Sequence, residues 1–465
     1  MPPREHRRGE ETDSPQFYHQ LSRYARNNLF GQVNCLTLSG NPYRRPVRPQ
    51  DLEAFDFERP LAKEAFTSAS ALTAQRMLLN IYESDLLFLP NGPFEPVARD
   101  FRAFYGNDVK LAGEAVRPTL EQHVFQFLDN EVDVSGPWTL GAMRALFDNR
   151  LQAANSGDSA LMAAIAAAGN PQAAAKGFLI QAAVDFLSEA SAMARNVLGN
   201  YGPLMSELFK VLIDEYGYGV FATKHSTLFE DTLKSVDLSP DIHSYWQFYL
   251  GSSIALTNYF HFVSRNHAHF FRYLGALYFT EATLPHTNRQ QAEGLSRVVG
   301  ERINTRYFEE HVHIDVHHAR MVLNKIIEPM IERCGEGIIP EIVRGFEEFR
   351  LLQGMADADL IAQLAWADES HANREPARRL MAAPGRPGAA SPARFVEKEG
   401  ELSVTHVHDE DELFVVESGE IDLITGHEQS VRLKAGDGVV IPKGRLHGSI
   451  VRSENCTYAV AGMNA

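Results

Sequence analysis

The sequence contains little cysteine and no long uninterrupted apolar run. Its three cysteines, Cys35, Cys334 and Cys456, are far apart and form no CxxC pair, so no disulfide framework is predicted and a reducing cytoplasm is the expected location. The charged N-terminus lacks the apolar stretch of a signal peptide. The most apolar long stretch, residues 159–183, is interrupted by polar residues and is not predicted to span a membrane.

Positive charge is also scarce. The 465 residues include 44 Lys and Arg against 60 Asp and Glu, which gives a net charge of −16. Because no long basic run is present, nucleic acid and anionic membranes are not expected partners. The hydrophobic fraction of 44% is enough for ordinary cores and excludes wholesale disorder, and the length suggests about three domains. The 18 histidines are unevenly placed and concentrate in two segments.

The spacing of apolar residues divides the chain into five segments. Spacings of three and four residues predict helices up to residue 371, in an N-terminal helical region (16–135) and a central bundle (136–371). Residues 1–15 are expected to be a disordered tail. The Pro-, Gly-, Ala- and Arg-rich segment 372–394 is predicted to be a linker. In 395–465 the period changes to two and predicts a small all-β unit, so the expected fold class is multidomain α + β.

Individual elements follow from the same patterns. The clearest helical patterns cover residues 61–88, 118–130, 178–198, 270–284 and 307–331. In the C-terminal unit, short strands joined by glycine-containing turns are predicted over 402–408, 412–425 and 438–442. The sequence contains no internal repeat.

Two glycine- and histidine-containing motifs dominate the C-terminal unit. Their spacings are Gly-x5-His-x-His-x3-Glu-x6-Gly and Gly-x5-Pro-x-Gly-x2-His. In this form the unit resembles the cupin family, which implies a β-barrel, and it departs from the second motif only at Val451, where Asn is frequent. The positions that carry the resemblance are Gly400, His406, His408, Glu412, Gly419, Gly436, Pro442, Gly444 and His447.

The same histidines predict a metal site on physical grounds. His406 and His408 are two residues apart on a predicted strand, so their side chains should point to one face, and His447 would arrive from a later strand. Three neutral imidazoles form a facial site with open positions, for which iron(II) is the first choice, followed by manganese or another divalent metal. Glu412 is either a fourth ligand or a solvated acid. The alternative is a cupin that only binds a ligand or packs a dimer.

A second histidine cluster lies in the segment RYFEEHVHIDVHHARMVL. His311, Asp315 and His318 are at positions i, i+4 and i+7, on one helical stripe with apolar neighbours. Burying these groups would be costly unless something pairs them, and a metal does so. His313 and His317 lie on the opposite face and are expected to be solvated. The apolar neighbours on the stripe are Phe308, Ile314, Met321 and Val322.

A binuclear site in a bundle also needs carboxylates from other helices. Glu281 follows an apolar helical run, Glu189 has apolar helical neighbours, and Glu215 ends an apolar turn. The chain then breaks at Gly217 and Gly219 and resumes with His225. Taken alone, each glutamate could equally be a residue at the edge of a solvated helix face. Together with the histidine-containing helix, the three glutamates and His225 form a candidate set of metal ligands.

The pattern Glu-Tyr-Gly-x-Gly-x5-His-x2-Leu-Phe, an isolated helical Glu, and then His-x3-Asp-x2-His resembles the haem-oxygenase-like diiron oxidases. These proteins share the haem oxygenase fold and bind two non-haem irons. Glu189 is the least secure ligand by this resemblance, because many members of the family lack a carboxylate there. The two resemblances imply the iron ligands Glu189, Glu215, His225, Glu281, His311, Asp315 and His318 in the bundle, and His406, His408 and His447 in the cupin.

The complete architecture, a helical region before the oxidase and a cupin after it, resembles the nitrosourea-forming iron enzymes of streptozotocin biosynthesis. The resemblance implies that two Fe(II) ions in the bundle hydroxylate the guanidine of N-omega-methyl-L-arginine twice with O2. One cupin iron would then form the N–N bond of an N-nitroso product. No GxGxxG fingerprint is present, so an external electron donor is implied. The N-terminal region is expected to form a homodimer.

Three alternatives remain open from the sequence. The first is an oxidase of the same diiron class that acts on another amine, amino acid or fatty acid. The second is a non-catalytic, ligand-sensing cupin fused to a helical dimer whose histidines are structural. The third is a ferritin-like iron store, against which the cupin and the long inserted helices argue.

Overall fold

The computed structural model describes residues 14–31, 33–38, 40–48, 52, 54–199, 202–372 and 392–463. The predicted tail and linker lie almost entirely outside these residues. The α-helices of the described part are α1 (Ser14–Ala25), α2 (Ala69–Glu83), α3 (Ala98–Phe104), α4 (Asn107–Phe125), α5 (Leu128–Glu131), α6 (Leu140–Ala154), α7 (Ala160–Ala167), α8 (Pro171–Phe186), α9 (Ser191–Ala194), α10 (Pro203–Glu215), α11 (His225–Ser235), α12 (Gly251–Arg265), α13 (Phe270–Val299), α14 (Arg306–Met321), α15 (Glu328–Cys334) and α16 (Ile339–Glu369). The strands are β1 (Ala393–Lys398), β2 (Leu402–His406), β3 (Glu412–Ser418), β4 (Glu420–Gly426), β5 (Gln429–Lys434), β6 (Gly438–Ile441), β7 (His447–Val451) and β8 (Asn455–Gly462).

The N-terminal helices pack as part of the bundle. One apolar core runs from Phe17 in α1 to Leu352 in α16 and includes residues of both predicted helical segments. Helix α2 is central to it: Ser68 caps the helix by accepting the Ala71 amide hydrogen, and every residue from Ala71 to Glu83 is buried. Helix α2 packs against α12, which belongs to the central segment. The two segments therefore share one hydrophobic interior.

Helices α13, α14 and α16 form the centre of the bundle. Helix α13 packs closely on α16 because each carries a glycine at the contact. A Cβ on Gly275 would overlap the carbonyl oxygen of Ile342, and a Cβ on Gly345 would overlap that of Arg272. Among the helices of the described residues, none combines the length and apolar character needed to cross a membrane.

The helix predicted over 178–198 is interrupted. Helix α8 ends at Phe186, and a turn with Ala190 in the left-handed region (φ 62°) precedes the short α9. Helix α14 ends differently: Val322–Ile327 form a wide π-helical turn that leads into α15. Such turns are frequent at functional sites, and this one begins one helical turn after His318.

The C-terminal unit consists of two four-stranded antiparallel sheets. Their strand orders are β1-β8-β3-β6 and β2-β7-β4-β5, and the ladders do not join them into one closed barrel. The strand predicted over 412–425 is divided at Gly419 (φ 82°) into β3 and β4. The predicted fold class, helical regions followed by an all-β unit, is confirmed.

The cupin is docked on the bundle through buried polar contacts. Arg445 donates to the carbonyl oxygen and to Oδ1 of Asp359 in α16, at 3.0 and 2.7 Å. Gln363, one turn further along α16, donates to the carbonyl oxygen of Leu446 and accepts its amide hydrogen. From the other side, Arg76 of α2 donates to the carbonyl oxygen of Thr405 at 2.9 Å. Two helices from different segments thus hold the strands that carry the cupin histidines.

Candidate metal centres

Helix α14 presents one buried polar stripe. His311, Asp315 and His318 are each at most 1% exposed, whereas His313 and His317 are exposed on the opposite face. The helical period accounts for this division, because positions i, i+4 and i+7 share a face. The placement agrees with the spacing argument from the sequence.

The first turn of this stripe meets two other elements. Nε2 of His311 lies 3.1 Å from Oε1 of Glu189 and 3.1 Å from Nδ1 of His225. Nδ1 of His225 lies 2.6 Å from Oε2 of Glu215. The four residues offer ligand atoms that all lie within 4.8 Å of one another, which is a suitable size for one metal ion.

A second cluster adjoins the first. Nδ1 of His318 lies 3.4 Å from Oε1 of Glu215, and it lies 3.3 Å from Oε2 of Glu281 and 3.5 Å from Oδ1 of Asp315. Glu215 therefore belongs to both clusters, with one carboxylate oxygen toward each. The structure brings all seven residues named from the bundle sequence into one double cluster. Seven histidine and carboxylate side chains, one of them shared, are a suitable ligand set for two cations.

The local backbone explains how α10 and α11 deliver their side chains. Glu215 is the last residue of α10 and His225 is the first of α11. Between them, Gly217 has a φ of 58°, and a Cβ there would lie 2.5 Å from the backbone nitrogen of Lys224. Only glycine allows this close return of the chain. Glu189 lies in the turn after α8 rather than within a helix, so the break in that helix places its carboxylate in the cluster.

The double cluster is electrostatically suited to cations. Burial opposes the charged form of His318, but Glu281, Asp315 and Glu215 outweigh it and raise the pKa of His318 to about 12. Burial, opposed by His318 and reinforced by Asp315, raises the pKa of Glu281 to about 7. Among the described residues, Nδ1 of His318 and both carboxylate oxygens of Asp315 have no hydrogen-bond partner. Buried donor atoms without partners, facing one another, fit a metal ligand set.

Outer contacts orient two of the imidazoles. Nδ1 of His311 donates to the carbonyl oxygen of Tyr307 at 2.7 Å, which leaves Nε2 for the cluster. The Tyr307 hydroxyl donates to Oε1 of Glu189 at 2.8 Å. Nε2 of His318 lies 3.1 Å from Oδ2 of Asp214, which leaves Nδ1 for the cluster. Asp214 and Tyr307 were not predicted from the sequence. The only sequence signal for either is its position, since Asp214 precedes Glu215 and Tyr307 lies one helical turn before His311.

The cupin histidines also converge. Their ring centroids are 4.8 Å apart for His406 and His408, 4.5 Å for His406 and His447, and 5.1 Å for His408 and His447. Nδ1 of His406 donates to the backbone carbonyl of Val404 at 2.8 Å, and Nδ1 of His447 donates to that of Arg445 at 3.0 Å. In each residue, Nε2 is therefore the nitrogen that is left to bind a metal ion. One detail of the prediction is wrong: β2 ends at His406, so His408 lies in the following loop rather than on the strand.

Burial keeps the cupin triad neutral. Desolvation and the charges of His408 and Arg48 lower the pKa of His447 to about 3, and desolvation and Arg48 lower the pKa of His408 to about 4. Neutral imidazole is the form that binds metal. Oε2 of Glu412 lies 3.1 Å from Nε2 of His408, and burial raises the pKa of Glu412 to about 7. Glu412 is thus beside the triad, although the compact three-residue cluster does not include it.

Comparison with known proteins follows the same division of the chain. A family model described as an iron-containing redox enzyme matches residues 176–354, and a cupin-domain model matches residues 393–460. A solved cupin-2 domain protein from Shewanella frigidimarina NCIMB 400 is 23% identical, with 18% of this chain and 89% of that chain covered and a TM-score of 0.14. A protein named nitrosourea synthase, from Streptomyces achromogenes subsp. streptozoticus, is 46% identical over 446 residues, covering 95% of this chain and 94% of that protein. The chain belongs to the nitrosourea synthase family.

Membership of the nitrosourea synthase family confirms the resemblance found in the sequence. Together with the iron-containing redox domain, it makes this chain an iron-dependent oxygenase. The double cluster lies within residues matched by the redox model, and the histidine triad lies within those matched by the cupin model.

Proposed function

We propose that this chain is a nitrosourea synthase that holds two irons in the bundle and one in the cupin. Glu189, His225 and His311 are assigned to one iron of the bundle, and Glu281, Asp315 and His318 to the other. The proposal rests on the position of Glu215 between the two clusters. Its Oε2 lies 2.6 Å from Nδ1 of His225, and its Oε1 lies 3.4 Å from Nδ1 of His318. The cupin iron is assigned to His406, His408 and His447.

In this proposal the bundle site hydroxylates two guanidine nitrogens of N-omega-methyl-L-arginine. The bound irons supply reductive activation of O2, with electrons from an external donor. The protein's part is to bring the guanidinium beside them. Glu189, Glu281 and Asp315 line the adjoining cavity, so a guanidinium bound there lies beside the proposed iron ligands.

The cupin is assigned the second reaction, an oxidative rearrangement that forms the N–N bond of an N-nitroso product. Its three neutral imidazoles, from His406, His408 and His447, would hold one iron ion, which would supply redox chemistry with O2 for a hydroxyguanidine bound in the cupin. A cavity of about 510 Å³ reaches His408, and its lining includes Ser68 and His123 of the N-terminal segment. That segment is further proposed to form a homodimer.

Mass spectrometry of a single reaction tests the proposal. Protein loaded anaerobically with iron is mixed with N-omega-methyl-L-arginine, a reductant and air, and the products are followed over time. The expected sequence is a one-oxygen adduct, a two-oxygen adduct and then an N-nitroso product. An unchanged substrate, with iron verified in both sites, would contradict the proposed substrate and favour another amine for the same diiron class.

A further inference from the structure

A narrow cavity adjoins the double cluster and extends away from it along α13. Its volume is about 90 Å³, and Glu281, Leu277 and Tyr273 line it at successive turns of that helix. Eight residues separate Tyr273 from Glu281, which corresponds to roughly 12 Å along a helix axis. The cavity is therefore elongated, with the carboxylate-rich cluster at one end.

The other end is lined by helix α12, which supplies none of the proposed metal ligands. Thr257 and His261 are four residues apart, so they share one face of α12, and both line the cavity. Only residues 266–269 connect α12 to α13. This short connection places His261, near the end of α12, at the level of Tyr273 near the start of α13, away from Glu281.

His261 is held as a neutral hydrogen-bond donor. Nη1 of Arg195 donates to Nδ1 of His261 at 2.7 Å, while Nη2 donates to the Tyr82 carbonyl oxygen at 2.9 Å. The imidazole also stacks on the Tyr82 ring, with centroids 5.3 Å apart. Because Nδ1 accepts, the ring hydrogen is on Nε2. Burial and the charge of Arg195 lower the pKa of His261 to about 3. The imidazole therefore stays neutral at pH 7, with the Nε2 hydrogen as a donor and the Arg195 guanidinium bound at Nδ1.

Thr257 supplies a second, independent observation. Its side chain is almost fully buried, with 3% exposure, yet among the described residues its hydroxyl has no hydrogen-bond partner. A buried hydroxyl without a partner is unfavourable by itself. Because Thr257 also lines the cavity, a molecule bound there lies beside the side chain that carries this hydroxyl.

We propose that Thr257 and His261 bind the α-carboxylate of the amino-acid substrate, and so select an amino acid over a simple alkylguanidine. The cavity then suits its ligand at both ends: the guanidinium lies beside the proposed iron ligands, and hydroxyl and imidazole donors backed by Arg195 face the carboxylate. This assignment rests on the proposed function of the bundle site. It gives Thr257 and His261 a role in specificity that is separate from metal binding.

Paired binding measurements with Thr257→Val test the assignment. The full chain, in a His406→Ala background that removes the cupin site, is loaded with iron and kept anaerobic. Calorimetry then compares N-omega-methyl-L-arginine with its decarboxylated analogue, N-(4-aminobutyl)-N′-methylguanidine. Because the Thr257 hydroxyl has no partner to lose, valine should fold normally. Thr283→Val is the matched control, since that hydroxyl bonds to the Phe279 carbonyl and lies outside the cavity lining.

We expect Thr257→Val to weaken binding of the amino acid by about tenfold or more, and to reduce the preference over the analogue by the same factor. His261→Phe should reduce that preference further, because it removes the polarised donor. Equal weakening for both ligands, or no weakening, would overturn the assignment while leaving the proposed function intact. Binding of neither ligand by the unsubstituted bundle site would overturn the proposed substrate, and this assignment with it.

Discussion

Arg445 of the cupin forms a buried ion pair with Asp359 of α16, with Nη2 2.7 Å from Oδ1. The carbonyl oxygen of the same Arg445 accepts the Nδ1 hydrogen of His447. One residue therefore both docks the cupin on the bundle and orients a proposed metal ligand. The position of the cupin site depends on a helix that lies outside the cupin.

Replacing Asp359 by Ala should leave the Arg445 guanidinium buried without its partner. Breaking a buried pair in this way costs about 3–5 kcal/mol, so the free energy of unfolding should fall by that order. Conversion of supplied dihydroxylated substrate should slow more than hydroxylation does, because His447 loses its orientation. Denaturant unfolding and the two separate rates measure this. Asp357→Ala is the control, since Asp357 accepts a hydrogen bond from Gln353 of its own helix, and equal effects of both substitutions would contradict the argument.

Removing one ligand from each centre should separate the two reactions. We expect His311→Ala to abolish hydroxylation and to leave conversion of supplied dihydroxylated substrate intact, and His406→Ala to accumulate the hydroxylated intermediate. Product analysis by mass spectrometry distinguishes these outcomes. His313→Ala, on the exposed face of the same helix, should behave as the unsubstituted protein. Loss of both reactions in either folded variant would refute the division of labour.

The shared carboxylate predicts unequal losses of iron. In a His406→Ala background, Glu189→Ala removes a ligand of one cluster only, so the second iron should be retained. Glu215→Ala removes the residue common to both clusters and should lose both irons. Iron analysis of the purified variants, with circular dichroism as the control for folding, measures the difference. The same iron content in the two variants would show that Glu215 does not bridge.

The opposite pKa shifts of the two centres predict different proton release. With its pKa raised to about 12, metal-free His318 is protonated at pH 7 and must lose a proton when Nδ1 binds iron. His447 and His408, with pKa values lowered to about 3 and about 4, are already neutral at that pH. Iron(II) binding to the bundle should therefore release protons, and binding to the cupin triad should release almost none.

Calorimetry in two buffers of different ionisation enthalpy measures this release. The His406→Ala variant reports on the bundle and the His311→Ala variant on the cupin. Lowering the pH toward 4 should weaken iron binding at the triad, because the imidazole of His408, whose pKa is lowered to about 4, is then partly protonated. Equal proton release from both centres at pH 7 would contradict the predicted difference.

Sequence reasoning was most successful where one regular element carries several ligands. The spacing of His311, Asp315 and His318 determines a common face in any α-helix, and α14 is helical throughout these positions. It was less successful where the backbone departs from regular geometry. Glu189 reaches the cluster through a turn at Ala190, and the apolar spacing on both sides of that turn masks the break. His408 lies beyond the end of β2 at His406, and the ladder between β2 and β7 is already irregular between Ser403 and His406.

Contacts between distant segments had no signal in the sequence. Asp359 and Arg445 are 86 residues apart, and neither belongs to a motif. Thr257 and Arg195 are likewise ordinary helix and turn residues until the fold places them near the cluster. Such residues are defined by tertiary packing rather than by local periodicity, so a single sequence does not distinguish them from other buried polar residues.

The docking of the cupin by α16 and α2 has a kinetic consequence. Because buried contacts fix its position, the two proposed metal centres of one chain stay at a constant separation. An intermediate passed between them, as proposed, would meet the second centre at an effective concentration that does not depend on how dilute the protein is. The fraction of intermediate that is bound by the second centre of the same molecule, rather than lost to solution, is then independent of protein concentration. When the two reactions are instead divided between separate molecules, as in a mixture of His311→Ala and His406→Ala proteins, the early rate of final-product formation should be second order in total protein and fall steeply on dilution.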